Sequence, residues 1–231
     1  MIIAGLQKTT LIDFPGKLAC TVFLAGCNFR CPWCYSKELV LPLEIAKQPR
    51  ILEKEFLDFL RQRQGMLEGV VLCGGEPTIN KDLPKFIERI KQLGYLVKLD
   101  TNGSNPQMLK DLVDLNLLDY VAMDIKTTKE KYSSVFSESL NIESIEESIV
   151  FLKTGKIDYE FRSTILPKIH SKEDVINMAR WIKGSKIYYL QQFRPEKTID
   201  PEFENIKPYK EEYLKGIIKE ISPYFKICEV R

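Results

Sequence analysis

The sequence lacks the features that mark membrane, nucleic-acid-binding and secreted proteins. It contains no run of the ~20 apolar residues that a membrane span requires. The net charge is only +2, and no long block of lysine or arginine could bind phosphate groups. No apolar signal segment precedes Asp13. We therefore expect a cytoplasmic protein that binds neither nucleic acid nor a membrane.

Histidine and paired metal ligands are also scarce. The sequence has one histidine, His170, and six cysteines. Structural zinc sites usually combine two pairs of ligands, and no second Cys/His pair is present here. Disulfide frameworks are typical of small secreted chains, and this chain has 231 residues. A zinc site and a disulfide framework therefore both fit this sequence poorly. A lone histidine in a loop is expected to be a surface or capping residue. Cys20 and Cys73 lie in predicted strands, where we interpret them as small buried hydrophobes.

Three of the cysteines, Cys27, Cys31 and Cys34, follow one another in a Cys-x3-Cys-x2-Cys spacing. Iron–sulfur clusters are held by cysteine thiolates, and a four-iron cluster needs four of them. A local set of three leaves one iron without a protein ligand, and that iron is a place for a substrate or cofactor. The spacing therefore predicts a redox cluster, with zinc, disulfides and inert thiols as the alternatives.

A second motif, Gly74-Gly75-Glu76-Pro77, follows an apolar run at 69–73. Two glycines would let the backbone approach a ligand closely, and proline would fix the exit of the chain. Glu76 could then pair with an ammonium group of the ligand. The alternative is an ordinary strand-to-helix turn with a solvated glutamate.

Strand-like runs alternate with amphipathic stretches along the chain, a pattern typical of βα units with a parallel sheet. Six strands are predicted, near 19–24, 69–73, 96–100, 120–124, 159–165 and 187–193. Helices are predicted near 53–64, 83–93, 106–115, 145–153, 172–183 and 209–221, with a hairpin at 4–17 and a strand-like tail at 225–230. We expect one domain over residues 1–231, an α/β fold that forms a partial (β/α)6 TIM-like barrel with an N-terminal hairpin.

Polar residues follow two of the predicted strands. Asp100, Thr101 and Asn102 end the third barrel strand, and Asp124 and Lys126 end the fourth. Active sites of parallel barrels are built at the carboxyl ends of the strands. These side chains either satisfy one another or bind a ligand, and the sequence leaves both interpretations open.

Together the cysteine triad and the Gly-Gly-Glu-Pro loop resemble the radical S-adenosylmethionine (SAM) superfamily. The resemblance implies that Cys27, Cys31 and Cys34 hold one [4Fe-4S] cluster, and that SAM chelates the open iron through its amino and carboxylate groups. It places Trp33 next to the adenine. The implied activity is reductive cleavage of SAM to a 5′-deoxyadenosyl radical, with the protein supplying orientation and exclusion of water.

More of the chain resembles one branch, the activating enzymes of glycyl radical proteins. The branch-specific pieces are Ile12-Asp13-Phe14-Pro15-Gly16, Asp100-Thr101-Asn102-Gly103, Asp124-Ile125-Lys126 and Phe161-Arg162. Together with the Gly-Gly-Glu-Pro loop they imply a SAM site in which Arg162 meets the carboxylate of SAM. The residues implied to line it are Gly74, Gly75, Glu76, Asp100, Thr101, Asn102, Asp124, Lys126 and Arg162. Asp100, Thr101 and Asp124 match residues that hold a monovalent cation in some members.

The resemblance also implies partners. The expected partner is a glycyl radical enzyme, and anaerobic ribonucleoside-triphosphate reductase is the specific expectation. A loop of that partner would enter the barrel near Asp13. A small electron donor such as flavodoxin or ferredoxin would supply the electron. Residues 37–68 contain no cysteine, so one cluster is expected. The alternatives are a small-molecule radical enzyme of the 7-carboxy-7-deazaguanine synthase type and a non-enzymatic iron–sulfur electron carrier.

Overall fold

The computed structural model describes residues 1–136 and 140–231. These residues divide into two compact units. Unit 1 comprises Met1–Phe29, Ser36–Thr101 and Gln107–Val121, and unit 2 comprises Arg30–Tyr35, Asn102–Pro106 and Ala122–Arg231. The single domain expected over 1–231 stays a prediction. The sequence also suggests that the acidic stretch 138–147 forms the solvated start of a helix, and residues 138 and 139 of that stretch lie outside the described part.

The strands agree with the six predicted βα units. Their bounds are β1 Ile3–Thr10, β2 Ala19–Leu24, β3 Gly69–Gly74, β4 Leu96–Thr101, β5 Tyr120–Asp124, β6 Asp158–Ile165, β7 Ile187–Gln192 and β8 Ile227–Val230. In unit 1, β1 pairs antiparallel with β2, and β2, β3 and β4 are parallel neighbours in that order. An N-terminal hairpin is present, but the bounds predicted for it, 4–17, were wrong, because its second arm is β2, the predicted first barrel strand. In unit 2, β6, β7 and β8 are parallel neighbours.

The helices connect these strands. They are α1 Lys37–Val40, α2 Pro42–Ile45, α3 Glu53–Gln62, α4 Leu83–Gln92, α5 Pro106–Asp114, α6 Tyr132–Val135, α7 Ile142–Lys153, α8 Lys172–Trp181 and α9 Glu211–Ile221. The longer helices confirm the sequence-based positions, whereas the four-residue helices α1, α2 and α6 were not predicted. Such short helices carry less than two turns of periodicity, so the sequence pattern does not reveal them.

The helices pack through apolar side chains spaced three and four residues apart, which place one face against the strands. In unit 1, Phe56 of α3 and Phe86 of α4 meet with ring centroids 5.6 Å apart, and both are buried. The strands beneath are apolar on both faces, as the buried run Val70–Leu72 shows. Such strands are typical of parallel sheets covered on two sides. In the described part of the chain, no helix has the length and apolarity needed to cross a membrane.

Candidate functional site

The cysteine segment begins where β2 ends in unit 1. Gly26 has a φ of +100°, a conformation that glycine adopts without strain and that turns the chain away from the strand. Cys27 follows, and the backbone N–H of Phe29 donates to its Sγ at 3.4 Å. A sulfur that accepts a backbone N–H is stabilised as a thiolate, the form in which cysteine binds metals.

Cys31 and Cys34 lie in unit 2, in a turn closed by a hydrogen bond from the N–H of Cys34 to the carbonyl of Cys31 at 3.0 Å. A distant segment fixes this turn. The N–H of Ile199 donates to the Cys34 carbonyl and the N–H of Asp200 donates to the Pro32 carbonyl, each at 3.0 Å. The sequence does not reveal this contact, because backbone hydrogen bonds leave no residue pattern.

The Gly-Gly-Glu-Pro segment packs against the backbone that leads to the cysteines. The N–H of Gly75 donates to the Leu24 carbonyl, and the N–H of Glu76 donates to the Gly26 carbonyl, each at 2.8 Å. A Cβ on Gly75 would overlap the Gly26 carbonyl oxygen and lie 2.6 Å from its carbon, and a Cβ on Gly74 would lie 2.6 Å from the Leu24 nitrogen. The glycines are thus required for a close contact between two backbone segments, whereas the sequence had suggested approach to a ligand.

Glu76 is a buried carboxylate and not the solvated glutamate of the alternative interpretation. Its Oε1 accepts hydrogen bonds from the Thr78 N–H at 3.0 Å, the Thr78 hydroxyl at 2.6 Å and the Thr101 hydroxyl at 2.8 Å. The first of these caps a short 3-10 helix at Pro77–Ile79. Glu76 therefore links the end of β3 to the end of β4 within unit 1, in addition to any ligand contact.

The polar residues at the end of β4 and just after it make local contacts of the same kind. The carboxylate of Asp100 pairs with the ammonium of Lys98, a side chain that is 1% exposed. In unit 2, the Asn102 side-chain oxygen accepts the N–H of Ser104 at 2.9 Å, which shapes the turn around Gly103. The sequence identified Asp100, Thr101 and Asn102, but it did not identify Lys98 as a buried partner.

Three charged side chains of unit 2 form a network between the end of β5 and the middle of β6. Asp124 lies 2.9 Å from the Lys126 ammonium and 3.0 Å from Nε of Arg162. Although burial favours the neutral acid, Arg162 and Lys126 lower the pKa of Asp124 to about 2. Burial likewise opposes the Lys126 charge, but electrostatic interactions with Asp124, Cys31 and Cys34 raise the pKa of Lys126. The network thus keeps its charges at neutral pH, and its lysine interacts electrostatically with two of the three cysteines.

Trp33 is buried between aromatic rings of unit 2. Its ring centroid lies 5.8 Å from that of Phe136, 6.0 Å from that of His170 and 6.3 Å from that of Phe203. Aromatic contacts of this kind fix the orientation of a large ring as well as burying it. Trp33 is therefore held in place by residues that are more than 100 positions away in the sequence.

The expectation of an exposed or capping His170 is wrong. The imidazole is 1% exposed, its Nδ1 accepts the N–H of Leu166 at 3.3 Å, and its Nε2 lies 2.9 Å from the Lys126 carbonyl oxygen. This pattern places the proton on Nε2, which donates to Lys126. Burial lowers the pKa of His170 to about 4, so the ring is neutral at physiological pH. His170 thus joins the loop after β6 to the loop that carries Lys126.

Two further cysteines, Cys20 and Cys73, lie on β2 and β3 of unit 1. Cys20 is buried in β2, where burial raises the pKa of its thiol to about 12, as the interpretation of a small hydrophobe requires. Cys73 is partly buried and packs against an apolar cluster of Phe14, Ala19 and Val71. None of the six cysteines, all of which lie in the described part of the chain, forms a disulfide.

The predicted site residues divide between the units. Unit 1 holds Cys27, Gly74, Gly75, Glu76, Asp100 and Thr101, and unit 2 holds Cys31, Trp33, Cys34, Asn102, Asp124, Lys126 and Arg162. Contacts within unit 1 join the segments of Glu76 and Thr101, and contacts within unit 2 join Asp124, Lys126 and Arg162. Their assignment as ligands of a cluster and of SAM stays a prediction.

Comparison with known proteins gives a family and several relatives. The model of the radical SAM superfamily matches residues 21–182. A Methanocaldococcus jannaschii protein named "Putative glycyl-radical enzyme activating enzyme" is 32% identical over all of this chain and 95% of its own length. The 7-carboxy-7-deazaguanine synthase of Thermococcus kodakarensis is 27% identical over 78% of this chain and 76% of its own.

Solved structures confirm the predicted fold class. Streptococcus suis SuiB superposes with a TM-score of 0.67 at 13% identity, covering 90% of this chain and 48% of its own. Native anSMEcpe with bound AdoMet superposes with a TM-score of 0.60 at 18% identity, covering 87% of this chain and 57% of its own. The chain therefore spans about half the length of these structural neighbours, and the likeness concerns the fold.

Proposed function

Because this chain belongs to the radical SAM superfamily, whose enzymes use a [4Fe-4S] cluster and SAM, we propose that it generates a glycyl radical on a partner enzyme. The single observation that best supports this proposal is the 32% identity to a named activating enzyme over the full length of the chain. The absence of cysteine between residues 37 and 68 supports an enzyme with one cluster.

The residues present fit these cofactors. Three thiolates in one short segment are the donor set that leaves a cluster iron open for SAM. As cluster ligands the cysteines would be thiolates; the N–H of Phe29 would then stabilise that of Cys27, and the Lys126 ammonium would offset charge on the other two. When bound, the cluster and SAM supply a 5′-deoxyadenosyl radical for hydrogen abstraction. In the proposal, Cys27, Cys31 and Cys34 hold the cluster.

The other predicted residues would bind and orient SAM. We assign Trp33 to the adenine and Glu76 to the methionine ammonium, because a buried carboxylate forms strong charge-assisted hydrogen bonds. Arg162 would meet the SAM carboxylate, with Lys126 beside it. Gly74 and Gly75 contribute by holding the Glu76 segment against Gly26. Asn102 shapes the turn after β4. Burial of Trp33 and Glu76 would keep water from the reacting atoms.

The partner proposed is a glycyl radical enzyme, with anaerobic ribonucleoside-triphosphate reductase as the specific candidate. Leu11 and Ile12 support a protein partner, because they are 77% and 82% exposed on the segment that leads to Asp13. That segment is braced, since Thr10 Oγ1 accepts the N–H groups of Ile12 and Asp13 and the Thr21 hydroxyl donates to Asp13. Flavodoxin or ferredoxin is proposed as the electron donor, and the cytoplasm as the location.

Electron paramagnetic resonance tests this function directly. The cluster-loaded protein is mixed anaerobically with SAM, a reductant and a glycyl radical enzyme encoded in the same genome. A glycyl doublet is expected with the wild type and not with Cys31→Ala. If no candidate partner gives the doublet while SAM is still cleaved, the activating role is wrong.

A small-molecule radical enzyme is the second candidate, favoured by the 27% identity to a 7-carboxy-7-deazaguanine synthase. It would turn over its substrate without a protein partner. The absence of such turnover under conditions that give the glycyl doublet would eliminate it. The electron-carrier hypothesis is not supported, because the family match and the relative named as an activating enzyme both favour enzyme activity. Detection of SAM binding by calorimetry would exclude it.

A further inference from the structure

Lys98 is a charged side chain in the interior of unit 1. It lies in β4, and it is 1% exposed. Its register partner in β3 is Val71, and paired residues of parallel strands point to the same face of the sheet. Val71 belongs to an apolar cluster with Phe14 and Ala19, and Leu96 of β4 packs against the same cluster. Transfer of an ammonium group into such surroundings is costly unless an opposite charge compensates it.

That compensation comes from Asp100, which lies two residues further along β4 and therefore on the same face. The Lys98 ammonium pairs with Oδ1 of Asp100, whose side chain is 11% exposed. Lys98 thus reaches from the interior of the strand to its carboxyl end, where Thr101 already binds Glu76. The positive charge next to Asp100 therefore belongs to a side chain of the protein and not to an ion bound from solution.

This arrangement bears on the monovalent cation that the family resemblance implies at Asp100, Thr101 and Asp124. Each of the two carboxylates has a protein cation beside it within its own unit. Asp100 has Lys98, and Asp124 has Lys126 and Arg162. A dissolved sodium or potassium ion would have to compete with ammonium and guanidinium groups that pay no cost of binding from solution.

We propose that Lys98 is a built-in counter-ion for Asp100, and that the protein therefore needs no dissolved alkali cation to bind SAM. The independence of SAM binding from alkali cations rests on the proposed function. The stabilisation of Asp100 by Lys98 is a property of the folded protein and does not depend on that function. Lys98 acts in this proposal as a positioning residue, because it acts through Asp100.

The first experiment uses the wild-type protein. Calorimetry measures SAM affinity of the cluster-loaded protein in sodium, potassium and tetramethylammonium chloride at equal ionic strength. Affinities that agree within about twofold are expected. Binding that is tenfold or more tighter with sodium or potassium overturns the proposal. If SAM binds in none of the salts, the proposed function fails, and the second experiment still tests Lys98.

The second experiment uses Lys98→Ala, which removes the ammonium and leaves space beside Asp100. In thermal unfolding, the cluster-free variant should have a lower melting temperature than the cluster-free wild type. Ammonium or methylammonium chloride should raise the melting temperature of the variant, and tetramethylammonium chloride should not. Lys91→Ala is the matched control, because Lys91 pairs with Asp119 at 2.7 Å where both side chains are about a quarter exposed. An equal ammonium effect in both variants would be a general salt effect and would overturn the proposal.

A double variant covers the case in which Lys98→Ala does not fold. Lys98→Ala with Asp100→Asn removes both charges, so it should be more stable than Lys98→Ala alone and indifferent to ammonium. A double variant that is no more stable than the single variant would show that Asp100 does not need the Lys98 charge.

Discussion

Replacement of Gly75 by alanine tests the contact between the Gly-Gly-Glu-Pro segment and the chain that leads to Cys27. The new Cβ would overlap the carbonyl oxygen of Gly26, which is backbone and has no rotamer by which to move away. Overpacking of this kind costs about 1–3 kcal/mol. Separation of the segments would also weaken two backbone hydrogen bonds, from Gly75 to Leu24 and from Glu76 to Gly26, at about 1 kcal/mol each.

The sum is a destabilisation of about 3–5 kcal/mol. For a chain of this size it lowers the melting temperature by roughly 6–20 °C. Urea unfolding of the cluster-free protein gives the free energy directly. Gly216→Ala is the matched control, because Gly216 lies in α9 and a Cβ added there would have no atom within 4 Å. That variant should be stabilised by about 0.5–1 kcal/mol. Equal stability of Gly75→Ala and wild type, within about 1 kcal/mol, would refute the close contact.

The remaining predictions concern His170, Glu76 and the cysteines. Since burial lowers the pKa of His170 from 6.5 to about 4, its neutral form contributes stability above pH 6.5 that is lost as the pH falls towards 4. Urea unfolding at pH 7 and pH 4.5 measures how much free energy of unfolding each protein loses on acidification. The wild type should lose about 2–3 kcal/mol more than His170→Gln. Equal losses would contradict a neutral buried ring. Glu76→Gln should weaken SAM binding by about 1.5–3 kcal/mol in calorimetry. Thr78→Val, which removes the hydroxyl that donates to Glu76, should leave that affinity unchanged. An equal effect of both variants would show that Glu76 has a purely structural role. Cys31→Ala should abolish the visible absorption of the reconstituted cluster and Cys73→Ala should retain it; loss in both would mean that the ligands are misassigned.

The fold was predictable from sequence wherever periodicity was strong. The runs that became β2 to β7 are apolar and bounded by turn residues, and α3 and α4 carry a full helical repeat. Positions that depend on tertiary contacts were not predictable. His170 looked like a loop residue because nothing near it in the sequence shows that Leu166, Lys126 and Trp33 surround its ring.

The sequence identified many residues of the predicted site, but it did not show which contacts their side chains and backbone groups make. Cys27 and Glu76 were identified from their motifs, but the motifs did not show that Glu76 caps a short helix or that Gly75 is required by the backbone of Gly26. Lys98 gave no signal, because a lysine within a strand usually points to solvent. Its burial becomes understandable only when the register of β3 and β4 places it beside Val71 and on the face of Asp100.

The central claim is that three cysteines hold a cluster whose open iron binds SAM. Anaerobically reconstituted protein should be analysed for iron and zinc, then reduced in the presence of SAM and assayed for 5′-deoxyadenosine. The account predicts iron, little zinc, and release of the nucleoside that depends on Cys27, Cys31 and Cys34. Zinc in place of iron, or an iron-loaded protein that releases no 5′-deoxyadenosine, would contradict it.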